Sequence, residues 1–181
     1  MVASHIALLR GINVGRAKRV AMADLRALVA GLGYRDVRTL LNSGNVVFTI
    51  PGAARGDVAG RIEKALAARL GVSSRVTVLT AAELATIVRE NPLHKIADNP
   101  SRLLVTVLTN PADRARLLPL VRQAWAPEAL ALGTRVCYVW CPRGMLESPL
   151  VEAVGKVLGD AATTRNWATI TKLNTLVGND D

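Results

Sequence analysis

The chain has 181 residues, half of them apolar and a fifth charged, with a formal net charge of +9. That length admits one domain or two small ones, and the apolar share is enough for a packed core and too high for a disordered chain. No apolar run approaches the ~18 residues that span a bilayer, so no membrane partner is expected. The positive balance invites a polyanionic partner. Arginine outnumbers lysine 18 to 5, however, a bias that high-GC coding also produces, so the charge has a compositional reading beside the functional one.

The opening MVASHIALLRG has a histidine inside its short apolar stretch, no basic start and no cleavage signal, so it reads as a first strand rather than a secretory peptide. MADLRALVAGLG follows with Met22, Leu25, Leu28, Val29 and Leu32 at helical spacing and Gly33 as a stop. VRTLLN and VVFTI flank Ser43-Gly44-Asn45, a tight hairpin signal. A second helix runs from about Asp57 to Leu70, with Val58, Ile62, Leu66 and Leu70 on one face and Gly71 ending it. RVTVLT closes a βαββαβ set, the order of a ferredoxin-like plait.

Thr80 and Glu83 then form a capping box that opens a third helix, which ends before Asn91-Pro92. After the turn-rich IADNPS, RLLVTVLT reads as a strand, and Asn110-Pro111 caps a helix over ADRARLLPLVRQAW. ALAL and RVCYVWC make a hairpin around Gly133-Thr134. Ser148-Pro149 opens a helix to about Leu158, a short strand covers Ala161 to Thr164, and a last helix starts at Arg165. The second half thus repeats the pattern of the first without visible identity. The expected fold class is α+β, with a ferredoxin-like subdomain over 1–80, a helix and linker over 81–101, and a second ferredoxin-like subdomain with a C-terminal helix over 102–181. Plaits of this size are marginal alone, so the two are expected to pack together.

Cys137 and Cys141 fall on one predicted strand, about 13 Å apart at ~3.3 Å per residue, too far for a disulfide. Two cysteines and two distant histidines make no zinc pattern. The expectation is a reduced, metal-free, cytoplasmic chain.

In a plait of this order strands one and three are adjacent and antiparallel. The loop RGINVGRAKR after strand one and the NSGN turn before strand three should therefore share one end of the first subdomain. Asn13, Gly15, Gly44 and Asn45 are residue types that tolerate positive φ and can turn backbone N–H groups outward. Arg10, Arg16, Lys18 and Arg19 add charge, and arginine adds bidentate contacts to phosphate or carboxylate. Asparagine and glycine also serve turn geometry alone. The loop has neither the third glycine of a dinucleotide fingerprint nor the GxxxxGK[ST] of a P-loop.

No Ser/His/Asp set stands out, and the carboxylates show no paired spacing. His5 and His94 read as structural or solvated. Base stacking on a sheet face needs exposed aromatics, and Phe48, alone on a suitable strand, reads as core. In TTRNWATITKL, Trp167, Ile170 and Leu173 fall at helical spacing. Arg165 and Asn166 stand at the predicted helix start, where N–H groups favour an anion. Arg165 serves equally well to hold a carboxylate of the protein itself.

LLRGINVG near the start, a basic linker ending in VAM, then SGNVVF and finally TTRNW together resemble the DUF1697 family of bacterial proteins, over about Ser4 to Gly178. The resemblance implies two ferredoxin-like subdomains and no established function. The family's linker commonly reads GGKNKVPM where this chain has GRAKRVAM, so Arg16, Ala17, Lys18 and Ala21 depart from it. TTRNWNT becomes TTRNWAT at Ala168.

The leading expectation is a cytoplasmic module that binds a small anion, a nucleotide or another phosphate-bearing ligand, or a nucleic-acid backbone. Its site would be Arg10, Asn13, Gly15, Arg16, Lys18, Arg19, Ser43, Gly44 and Asn45, with Arg165 and Asn166. An enzyme acting on a phosphorylated or carboxylated substrate between the subdomains is the alternative, with Asn13, Ser43 and Asn45 orienting it. A protein–protein interaction module built on a sheet edge is the third. The residues assign no cofactor, no catalytic set and no oligomeric state.

Overall fold

The structure, a computed structural model, describes residues 3–16, 18–52 and 56–178. Among these residues the chain is α+β, with two four-stranded antiparallel sheets and six α-helices. It divides into two compact units, Met1–Glu83 with Thr175–Asp181, and Leu84–Asn174. Ala17, one of the linker departures, lies outside the described residues.

In the first unit β1 is Ser4–Leu9, α1 Met22–Gly31, β2 Arg35–Leu40, β3 Asn45–Thr49, α2 Val58–Leu70 and β4 Val76–Thr80. The sheet order is β2-β3-β1-β4. β1 takes the centre because it is apolar on both faces: Ile6, Ala7, Leu8 and Leu9 are fully buried. On one face Ala7, Leu9, Val46, Phe48 and Val76 receive Leu25, Leu28 and Val29 of α1 and Ile62, Ala65 and Leu66 of α2. Each fully buried Leu, Ile or Phe there contributes about 1.5–3 kcal/mol. Phe48 is core, as its sequence context suggests, with its ring 4.9 Å from that of Tyr34.

Local signals fix the ends of α2. The Asp57 side chain accepts from the Gly60 N–H at 2.8 Å, and Gly71 leaves the helix at a φ of 64°. β2 starts two residues before the expected VRTLLN and carries an irregularity between Arg35 and Arg38, where Asp36 has a φ of 52°. The β2–β3 turn spans residues 41–44 rather than being centred on Ser43-Gly44-Asn45, and Asn45 is the first residue of β3.

The linker contributes α3, Ala81–Arg89. The Thr80 N–H donates to Glu83 Oε2 at 2.8 Å, and the Glu83 N–H donates to Thr80 Oγ1 at 3.1 Å, so the capping box forms as expected.

In the second unit β5 is Leu103–Leu108, α4 Leu118–Val121, β6 Ala129–Leu132, β7 Val136–Trp140, α5 Pro149–Leu158 and β8 Ala162–Asn166, with α6, Trp167–Gly178, belonging to it as far as Asn174. The sheet order β6-β7-β5-β8 repeats that of the first unit. The expected helix over ADRARLLPLVRQAW does not run through. A 3-10 helix, Pro111–Leu117, hands over to the one-turn α4. Pro119 accounts for the break, since it lacks an N–H and its ring opposes the carbonyl four residues back. Asn110 still caps the start, accepting from the Ala112 N–H at 3.0 Å. Ser148 caps α5 in the same way, accepting from Val151 at 3.0 Å.

Candidate functional site

Three loops share one end of the first unit. β1 runs up to this end, and β3 and β4 are both antiparallel to it, so both begin here. Residues 10–21 leave β1, residues 41–44 enter β3, and residues 71–75 enter β4. Sequence reasoning paired the first two and missed the third, although in the same strand order strand four also starts at this end. The structure joins all three. The Leu9 N–H donates to Gly44 O and the Arg10 N–H to Arg75 O, both at 2.9 Å, and Ser74 Oγ donates to Arg10 O at 2.8 Å.

Asn13 is the principal fastener. Its Nδ2 donates to Val20 O at 2.9 Å, closing its own loop, and to Asn42 O at 2.7 Å, tying that loop to the β2–β3 turn. Its Oδ1 accepts from the Val20 N–H at 2.9 Å. Both amide hydrogens are therefore committed to the chain. Asn45 is fully buried, and its Nδ2 donates to Leu40 O at 2.8 Å and Ser43 Oγ at 2.9 Å. Gly44 is packed so closely that a Cβ there would lie 2.6 Å from Ile12 Cδ1 and 2.8 Å from Leu9 Cβ.

The backbone here is also unusual. Asn13, Gly15, Gly44 and Asn45 are of types that tolerate positive φ, and the first three have it, at 53°, 58° and 81°. Asn45 lies in extended β3 instead. Lys18 at 49° and Leu41 at 58° join the left-handed set, so three of the four described non-glycine residues with positive φ stand in these loops. Each such residue costs of order 1–3 kcal/mol, a cost that concentrates where function demands a particular shape.

The charge is one-sided. Arg10, Arg16, Lys18, Arg19 and Arg75 are all exposed, and residues 10–21, 41–44 and 71–75 contain no aspartate or glutamate. The side chains of Arg16 and Lys18 make no hydrogen bond or ion pair to any described residue, whereas Arg19 Nη2 donates to Gly15 O.

The second unit has the same three-way junction with a different electrostatic outcome. There the Leu108 N–H donates to Arg135 O and the Thr109 N–H to Ala161 O, both at 2.9 Å. Its arginines bond to their own unit, although Arg114 and Arg116 stay exposed. Arg114 Nε donates to Gly133 O at 2.8 Å, Arg135 Nε to Leu108 O at 3.1 Å, and Arg116 reaches Asp113 at 3.4 Å and also Val157 O. Asp113 and Asp160 add negative charge in the matching segments.

Arg165 and Asn166 belong to the second unit and not to the helix start as a pair. The strand β8 extends through both, with Arg165 opposite Val105 and Asn166 opposite Leu104. Arg165 is buried, and its Nη1 donates to Thr163 Oγ1 at 3.0 Å and Thr164 O at 2.9 Å. Burial lowers its guanidinium pKa to about 10, which leaves it charged near neutral pH. Asn166 does cap α6, accepting from the Thr169 N–H at 2.9 Å. Ile170 and Leu173 of that helix are fully buried, as their spacing suggests.

Cys137 and Cys141 are buried thiols without a disulfide. Burial pushes the Cys137 pKa up to about 12, so it is no nucleophile at neutral pH. Among the described residues no group of three or more His, Cys, Asp or Glu is placed to hold a metal ion, and no helix is long and apolar enough to cross a membrane.

Comparison with known proteins extends this picture. No functionally curated protein matches the chain. A conserved bacterial protein of Streptococcus pneumoniae, SP0830, has a solved structure similar to this one, with a TM-score of 0.80 at 22% identity, covering 98% of this chain and 99% of that one. At that identity the likeness is one of fold. The family model for DUF1697, proteins of unknown function, matches residues 2–138, a stretch that holds LLRGINVG and SGNVVF and stops short of TTRNW. With the three loops of the basic end inside the matched residues, the chain belongs to the DUF1697 family.

Proposed function

We propose that the protein binds a phosphate-bearing anion at the three-loop end of its first unit. The observation that carries the reading is the contrast between two junctions of the same design. Both expose arginines, but the loops of one hold no carboxylate and leave the side chains of Arg16 and Lys18 without a hydrogen bond or ion pair to any described residue, whereas those of the other hold Asp113 and Asp160 and engage Arg114, Arg116 and Arg135 with carbonyls and an acid of the same unit. Base composition alone would enrich both ends in arginine without clearing the loops of one of them of carboxylates. Lys18 also stands in the left-handed region, where a non-glycine residue carries a conformational cost of the kind that concentrates at functional sites.

The order of strands in each unit is that of a ferredoxin-like plait, and we read each unit as one. The buried thiols suit a reducing compartment, and we place the protein in the cytoplasm. Binding rather than catalysis fits the exposed cations, since the committed amides of Asn13 and Asn45 leave little in these loops to orient a reacting group.

Inorganic pyrophosphate is a suitable probe. At a hundred times its Kd it stabilises the folded protein by ~2.7 kcal/mol, read as a rise in melting temperature. Arg16→Glu with Lys18→Glu abolishes that rise while leaving the melting temperature without pyrophosphate unchanged. An undiminished rise in the double variant excludes this end as the site.

A further inference from the structure

We infer that two copies of this chain associate through the free edge of the second unit's sheet, β6 of one pairing antiparallel with β6 of the other about a twofold axis at Ala131. The inference concerns another surface than the anion-binding loops and does not depend on them.

Among the described residues β6 pairs with β7 alone. The Gly133 N–H donates to Val136 O at 2.8 Å, and the register sets Leu132 opposite Cys137, Ala131 opposite Tyr138, Leu130 opposite Val139 and Ala129 opposite Trp140. Antiparallel ladders alternate, so Gly133, Ala131 and Ala129 direct their backbone groups to β7, while Leu132 and Leu130 turn theirs outward. No hydrogen bond from a described residue reaches those outward N–H and C=O groups. The strand reads Ala-Leu-Ala-Leu, with no charge, proline or irregularity to blunt its edge. β2, the corresponding edge strand of the first unit, is blunted by exposed Arg35 and Asp36 and by the irregularity between Arg35 and Arg38.

A second copy fits this edge through symmetry. The two outward residues flank Ala131 equally, so a twofold axis there sets Leu130 of each copy opposite Leu132 of the other and closes four hydrogen bonds. The same register sets Glu128 opposite Thr134 of the other copy, next to the Gly133 carbonyl to which Arg114 Nε donates at 2.8 Å. Glu128 and Arg114 are of opposite charge, and neither makes an ion pair with a described residue of its own chain. The pairing brings them together twice. An unrelated extended strand would satisfy the same backbone groups without this match of charge.

Exposed apolar side chains gather around the same edge, as at interaction surfaces. α4 lies against β6 and carries Leu118 and Val121, one turn apart and each 42% exposed. Met145 and Leu146, 49% and 95% exposed, stand in the loop from β7 to α5. The Leu150 N–H donates to Glu128 Oε2 at 3.2 Å and ties the end of that loop to the start of β6. Leu130 and Leu132 pack into the same core cluster as Leu117 and Leu120. The twofold therefore sets both α4 helices on one face of a continuous eight-stranded sheet.

Sedimentation velocity over a concentration series, together with cysteine variants, tests the inference. The native chain is expected to pass from one chain mass to two as concentration rises. Ala131→Cys sets two thiols on a non-hydrogen-bonded pair with Cα atoms about 4.5 Å apart, and mild oxidation is expected to give a covalent dimer. Ala129→Cys leaves its two thiols about 13 Å apart and is expected to stay uncrosslinked. Cys137 and Cys141 are buried and do not compete. Arg114→Glu is expected to weaken association about tenfold, and Glu128→Lys added to it to restore the loss. Where a melting curve shows that Ala131→Cys does not fold, the charge reversal and its rescue decide. One chain mass at every concentration overturns the inference. A dimer that crosslinks equally at residues 129 and 131, or is indifferent to Arg114→Glu, overturns it as well.

Discussion

Gly44→Ala is expected to destabilise the protein by about 2–5 kcal/mol. Two effects add. Gly44 has a φ of 81°, and an L-residue in that region costs roughly 1–2 kcal/mol. The new methyl would also lie 2.6 Å from Ile12 Cδ1 and 2.8 Å from Leu9 Cβ, and forced overpacking of this kind costs typically 1–3 kcal/mol. Ile12 can swing its terminal carbon aside, but Leu9 Cβ is anchored to β1 and cannot. Urea denaturation measures the effect as a lower midpoint at constant slope. A loss below about 1 kcal/mol would mean that the turn and the first loop are not packed as described.

Asn13→Ala is expected to cost about 2–4 kcal/mol, again by urea denaturation. The substitution removes three hydrogen bonds and leaves the N–H of buried Val20 without its acceptor. It also places alanine at a φ of 53°. Asn13→Gly separates the two causes, because glycine keeps the conformation at no steric cost. The glycine variant should recover about 1 kcal/mol, and the remaining deficit belongs to the lost fastener. Equal losses in both variants would remove the conformational part of the explanation.

Much of this end was legible in the sequence because it follows from topology. The βαββαβ order makes strands one and three neighbours, and their adjacency brings Asn13 within reach of Asn42. The roles of the residues were harder to read. Asparagine serves equally well as ligand contact and as turn fastener, and only the distances to Val20, Asn42 and Leu40 show that Asn13 and Asn45 serve the chain. Arg75 was missed because it sits at the start of an ordinary strand pattern, though strand four must begin where strand one ends.

The errors in the second unit have local causes. The 3.6-residue spacing of ADRARLLPLVRQAW suggested one helix, and Pro119 ends that possibility. Arg165 resembled a helix start because Trp167, Ile170 and Leu173 are periodic. Periodicity does not say where a strand hands over to a helix, and pairing with Val105 and Leu104 keeps residues 165 and 166 in the ladder. Net charge could not separate arginines bonded to their own unit from unengaged cations either. That distinction appears only when Arg114, Arg116 and Arg135 are seen bonded to carbonyls of their own unit.

The central claim is that the exposed cations of the first unit, and not the arginines bonded to their own unit in the second, make the anion-binding face. Amide chemical shifts followed by NMR during a pyrophosphate titration test it most directly. The expected result is a set of saturating shifts confined to residues 10–20, 41–44 and 71–75. Saturating shifts centred instead on residues 109–116 and 133–135, or scattered over both units, would contradict it.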